Sequence, residues 1–324
     1  MSQYQNPKSN YLITSKPHMR AKITTRRIML DVIIALLPAV LVAVINFGTQ
    51  GMAVIAVAVM SCVFFEWAYQ KIMKKPVMIN DLSAVITGIL ISFGVPATVP
   101  LWTMVVASFF AIVIVKQLFG GIGQNFVNPA LAARAFLLGA YPAQVTMYNF
   151  GLAHDAVSGP TPLVVFAEAP LYTPTLSEVW SVLWGFGNTR AAIGEVATIL
   201  IIAGGVYLLV RKVINWRIPV FFIGTSAVVL LVFGRHGLMT GQPHYEIFLG
   251  AIMLAAFFMA TDYSTSPMTA MGQIVFGIGC GLITAIIRIW GDFPEGVTYA
   301  ILLMNLLVPL IDKLTMPRVY GTVK

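Results

Sequence analysis

The chain has 324 residues, 58% of them hydrophobic and only 10% charged, whereas about a quarter of the residues in a soluble domain carry charge. That balance excludes an ordinary soluble enzyme and places the chain in a membrane. A formal net charge of +8 would suggest nucleic acid as a partner in a soluble protein. Here the basic residues flank apolar runs, as cytoplasmic loops do, and no nucleic-acid role is expected.

Repeated apolar runs of about bilayer length, broken by short polar joints, indicate an all-α polytopic protein. A barrel would show alternating strands of about ten residues. Residues 1–27 form a polar tail with Lys8, Lys16, Arg20, Lys22, Arg26 and Arg27. No small-residue cleavage site follows the first apolar run, so that span is read as retained. Spans are predicted over 28–47, 51–70, 82–95, 100–119 and 126–140, and again over 191–210, 217–234, 245–260, 270–290 and 297–313. A polar loop over 141–190 joins the two sets, and 314–324 forms a second tail. Gly94, Pro96 and Pro129 edge the short third and fifth spans, which suits broken helices packed on protein rather than lipid.

With the N-terminus inside, sixteen basic residues fall on inner segments and only Arg190, Arg235 and Arg288 on outer ones, with Arg134 inside a span. The positive-inside rule then puts both termini in the cytoplasm and the long loop on the outer face. Five spans on each side of that loop predict two inverted five-helix repeats, 28–140 and 191–313, since an odd number per half reverses the second half in the membrane. Asp81 and Glu246 precede matching short spans, and Pro100 and Pro267 close matching joints.

Within the outer loop, Asp155, Ser158, Gly159, Pro160 and Thr161 lie in a turn-forming string that presents the Thr161 hydroxyl to solvent. Arg134 reads either as a partner for a cofactor phosphate or carbonyl edge or as half of an ion pair, because an unpaired cation in a span is costly. Asn125 and Asn128 offer amide groups to a ligand, or simply start a helix at Pro129. Asp81, Glu246 and Asp262 at span edges handle a cation or cap helices. Cys62 and Cys280 are predicted as buried apolar fillers, and no metal site is expected. His18, His154, His236 and His244 lie in tails or loops, so haem is not supported. Gly277 and Gly281 permit close helix packing, internal or against another subunit. Gly120 to Gly123 open no strand–turn–helix unit, so no nicotinamide site is expected on this chain.

These residues resemble a known family. Ser15 to His18 running into Ile28 and Met29, Gly123 to Ala130, Met259 to Asp262, Gly272 to Gly281 and Pro294 to Asn305 together are similar to the D subunits of the Rnf ion-translocating electron-transport complex. More distantly they resemble the B subunit of the sodium-pumping NADH:quinone reductase. The resemblance implies a bacterial or archaeal cytoplasmic membrane, with electron transfer between ferredoxin and NAD coupled to movement of sodium ions or protons. It implies FMN esterified through its phosphate to Thr161, attached by a flavin transferase, with Pro160 standing where relatives usually carry alanine. It also implies a noncovalent flavin, riboflavin in relatives, among the helices. Iron–sulfur and flavin subunits of the complex are the implied partners. The alternative is a non-redox transporter or channel, since inverted repeats of broken helices serve that class equally well.

Overall fold

A computed structural model describes residues 24–149, 158–159, 175, 180, 183–184, 191–234, 239, 243–248, 250–291 and 296–316. Among them, three helices are long and apolar enough to cross a membrane: Thr25–Ile72, Ala270–Trp290 and Val297–Thr315. Shorter apolar helices pack between them.

Helix α1 spans Thr25–Ile72, capped by the Thr24 side chain, which accepts from the Arg27 N–H. It is two helices in one. Gly48 takes φ 58° and ψ −140°, a backbone conformation open to glycine and costly to other residues. The chain breaks there, between the first two predicted spans. Ile33, Leu37 and Val44 of the first arm line one apolar groove with Met52, Ile55 and Val59 of the second, so the arms lie side by side. On the first arm Ala35, Ala39 and Ala43 are buried while Leu30, Ile34, Leu37, Leu41 and Ile45 are exposed. Small residues thus face the protein, and branched ones offer a stripe at helical spacing to lipid.

A 3₁₀ turn, Ile79–Asp81, leads into α2, Ser83–Phe93. Asp81 Oδ1 accepts from both the Ser83 backbone N–H (2.9 Å) and the Ser83 hydroxyl (2.7 Å), satisfying orphan groups at the helix start. The predicted span 100–119 is α3, Leu101–Phe109, continued by a π-helix over Phe110–Gln117. Helix α4, Pro129–Ala140, starts at the capping residue Asn128, followed by the short α5, Pro142–Val145.

After the loop come α6, Thr198–Val210, and α7, Arg217–Val232. Then follow α8, Pro243–Phe248, and α9, Ile252–Leu254, which continues as a second π-helix over Ala255–Met259. The long pair α10, Ala270–Trp290, and α11, Val297–Thr315, completes the order.

Two predicted spans differ from what forms. Residues 191–197 are buried but not helical. Ile193 N–H donates to Val95 O at 3.1 Å and Gly194 N–H to Phe93 O at 3.0 Å. Helix α2 is too short to cross a bilayer, so its final carbonyls need donors that lipid does not provide. The 191–197 segment provides them, and the turn into α6 passes through Ala197 at φ 67°. The predicted span 245–260 divides at Gly250, φ 91°, into α8 and the α9/π segment.

Gly277 and Gly281 act within the chain. Methyl groups there would stand 3.0 Å from Ile218 O and 2.6 Å from Phe222 O of α7, so bare α-carbons let α10 lie against the α7 backbone. Cys62 and Cys280 are both buried and unbridged.

Candidate functional site

The first half of the chain (α1–α4) and the second (α6–α11) meet around a narrow cleft, about 90 Å³ in volume and open at its mouth. Its apolar walls come from Val32 on α1, Leu90 on α2, Leu208 on α6 and Ile214, Phe257 and Phe258 beyond. Ser83, Thr87, Lys116, Asn125, Thr261 and Asp262 add polar groups.

Lys116 is the penultimate residue of the first π-helix. Such helices pack poorly as regular structure and recur at functional positions, and here the last two residues, Lys116 and Gln117, both turn inward. Lys116 Nζ donates to both Glu66 oxygens, at 2.8 and 3.0 Å, and to Ser83 Oγ at 2.6 Å. Gln117 Nε2 donates to Glu66 Oε1 at 2.7 Å. Glu66 is 1% and Lys116 3% exposed. A buried pair survives only when its remaining lone pairs and protons are satisfied, which Ser83 and Gln117 do here. A continuous polar path therefore runs from Asp81 through Ser83 and Lys116 to Glu66.

Asn128 is fully committed to structure. Its Oδ1 accepts from the Ala130 and Leu131 N–H groups at 3.0 and 3.3 Å, and its Nδ2 donates to Met259 O across the cleft at 3.1 Å. Asn305 of α11, with its amide oriented to suit its neighbours, donates to Thr265 O and accepts from Asn128 N–H, both at 3.1 Å. The two halves are thus stitched together at the cleft. Asn125 differs: among the described residues its Nδ2 donates to Val127 O at 3.3 Å. Its amide oxygen remains available to the cleft.

Asp262 lies on the opposite wall, just beyond the second π-helix. Ser264 and Thr265 hydroxyls donate to its Oδ2 at 3.0 and 3.3 Å. Desolvation by the surrounding protein pushes its carboxyl above the usual carboxylate range, with the Ser264 and Thr265 hydrogen bonds and the Lys116 charge pulling the other way.

Other sequence-predicted residues lie elsewhere. Arg134 is buried, 4% exposed, and packs its side chain over Gly94 at the C-terminal end of α2, where a cation complements the helix dipole. It does not line the cleft. The Glu246 backbone carbonyl accepts from Arg288 Nη1, and Arg288 is fully buried. In the loop after α5, Ser158–Gly159 pairs antiparallel with Tyr148–Asn149; Asp155, Pro160 and Thr161 lie outside the described residues. Helix α4 has the cleft at its first residues and leads to this loop at its end. Its twelve residues give a separation of about 18 Å along the axis.

Sequence reasoning missed Glu66, Ser83, Gln117 and Asn305. A carboxylate and a lysine within apolar runs were a signal in themselves, but nothing in the order of residues pairs positions 50 apart. Also missed was the pair between Asp31 on α1 and Arg211 on α6, Nη2 to Oδ2 at 3.2 Å, joined by Tyr207 Oη to Asp31 Oδ1 at 3.2 Å.

These features define a helical membrane protein whose two halves enclose a polar-edged cleft. The NQR2, RnfD, RnfE family model matches residues 12–321, and the chain belongs to that family. It is 46% identical over 315 residues to the D subunit of the Na(+)-translocating ferredoxin:NAD(+) oxidoreductase complex of Acetobacterium woodii, covering 97% of this chain and 96% of that one. It is 40% identical over 331 residues to the D subunit of the proton-translocating ferredoxin:NAD(+) oxidoreductase complex of Clostridium ljungdahlii, covering 99% of each. Identity to the D subunit of the ion-translocating oxidoreductase complex of Yersinia pseudotuberculosis is 34% over 348 residues, with 95% of this chain and 98% of that one covered.

Proposed function

We propose that the protein is the flavin-carrying membrane subunit of a complex that couples electron transfer between ferredoxin and NAD to translocation of sodium ions or protons. Relatives named as D subunits of Na(+)-translocating and proton-translocating ferredoxin:NAD(+) oxidoreductase complexes match the chain nearly end to end, and a polar-edged cleft lies at the opposite end of α4 from the outer loop. The fold is two inverted five-helix repeats with both termini cytoplasmic, supported by the sixteen-to-three distribution of basic residues. Partner subunits supply the nicotinamide site and the iron–sulfur clusters.

Two flavins fit this plan. FMN is tethered on the outer face through a phosphoester to the Thr161 oxygen, and a flavin transferase makes that bond. A tether holds the group at high effective concentration in every redox state. A noncovalent flavin occupies the inner cleft. The residues present suit it: Leu90, Phe257 and Phe258 offer an apolar bed for a planar ring system, while Asn125, Thr87 and Thr261 meet its polar edge. Bound flavins supply the one- and two-electron chemistry that side chains lack. The chain contributes position, exclusion of water and the local charge.

The competing reading is a transporter without redox chemistry. Purified chain, denatured and run on a gel, separates the two. Flavin fluorescence that stays with the band supports the redox reading; a colourless band from protein that moves a solute in vesicles refutes it.

A further inference from the structure

The Lys116 ammonium stands between two places that need it. On one side it is held by both oxygens of buried Glu66, at 2.8 and 3.0 Å. On the other it forms part of the cleft wall, beside Ser83 and across from Asp262. The backbone is shaped to put it there. The regular turn of α3 gives way to a π-helix over Phe110–Gln117, and the opposite wall repeats the device with a π-helix over Ala255–Met259. Gln117 and Ser83 share the work of saturating Glu66 and Lys116, so the pair is restrained in place. For stability alone, a buried ion pair is often no better than apolar packing of the same volume.

We infer that Lys116 is the charge-supplying residue of the cleft: it stabilises the negative charge of an electron placed on the bound flavin, and Glu66 sets how much of that charge is available. The inference rests on the flavin reading of the cleft. A flavin bound there would take one electron from an iron–sulfur or flavin centre of a partner subunit, which would be oxidised by one electron as the flavin is reduced by one. No bond is made or broken, and no proton moves. The Lys116 ammonium would act on that charge through space from its place in the cleft wall, where Glu66 and Ser83 hold it. Ser83 extends the hold, since its hydroxyl accepts from Lys116 and donates to Asp81.

The test is a spectroelectrochemical titration of the purified full chain carrying Thr161→Ala, so that the cleft flavin is followed alone. Glu66→Gln leaves the lysine charge uncompensated and is expected to favour the one-electron-reduced flavin about tenfold, a shift of about 59 mV upward. Lys116→Met with Glu66→Leu removes both charges while keeping volume, and is expected to shift the potential downward. Lys116→Arg is expected to stay near the parent. The double variant guards against a folding failure, because an uncompensated buried charge, whether the carboxylate left by Lys116→Met alone or the ammonium left by Glu66→Gln, is strongly destabilising. Opposite shifts support the inference; shifts of the same sign, or below threefold in both, overturn it while the flavin reading stands. If the parent chain yields no extractable noncovalent flavin, both fall.

Discussion

Asn128 is the residue whose replacement reports most directly on how the two halves are held together. Its oxygen caps α4 through the Ala130 and Leu131 N–H groups, and its amide nitrogen reaches Met259 O from the other half. Losing an N-cap costs about 1 kcal/mol. Losing the bond to Met259 O, and leaving that carbonyl buried without a donor, costs about 1–2 kcal/mol more. Asn128→Ala loses both, for a total of about 2–3 kcal/mol. Asn128→Ser keeps a capping oxygen but is too short to reach Met259, so it is expected to lose about 1–2 kcal/mol. Equilibrium unfolding in mixed micelles, followed by tryptophan fluorescence, gives the order: parent, then serine, then alanine. An alanine variant within about 0.5 kcal/mol of the parent, the range of an ordinary surface change, would refute this reading of the cleft. Equal losses for serine and alanine would show that the cap contributes nothing.

Gly281→Val is expected to cost about 1–3 kcal/mol by overpacking, because its first carbon would meet the Phe222 carbonyl at 2.6 Å. Gly224→Val on α7, where nothing lies within 4 Å, is expected to leave unfolding in the same micelles unchanged. Asn125→Leu removes the available amide oxygen at the cleft and is expected to lower noncovalent flavin in acid extracts, with covalent flavin on the band unaffected; equal loss of both would contradict separate sites. A cysteine at Gly151 is expected to react with an impermeant thiol reagent added to intact cells with a permeabilised outer layer, and one at Ser9 not to react. Reversed labelling overturns the orientation. Background should be low, because Cys62 and Cys280 are buried.

Much of the fold was legible because the bilayer imposes one rule: backbone groups must be satisfied inside the chain, so apolar runs become helices. Pro129 then marked the start of α4, and the break at Gly48 falls between the predicted spans 28–47 and 51–70. The same rule hid the segment 191–197, since a buried non-helical stretch is as apolar as a helix, and only the carbonyls of Phe93 and Val95 explain why it forms. The spacing of Gly277 and Gly281 announced close packing, yet α7 as the partner had to come from the structure. Asn128 could be read as a helix start from Asn-Pro alone, and the structure adds its reach to Met259. The Glu66–Lys116 pair was not legible, because the π-helical setting of Lys116 and 50 positions of separation stand between the letters and the contact. At Thr161 the residues alone gave only a turn, and the flavin came from the family resemblance.

The central claim is that this chain carries its own flavin, and intact-protein mass spectrometry of the purified parent and its Thr161→Ala variant tests it most directly. Expected is an FMN-sized addition on the parent and the bare chain mass for the variant, with membrane insertion unchanged. A parent at bare mass, or an alanine variant that still bears the addition, would contradict the claim.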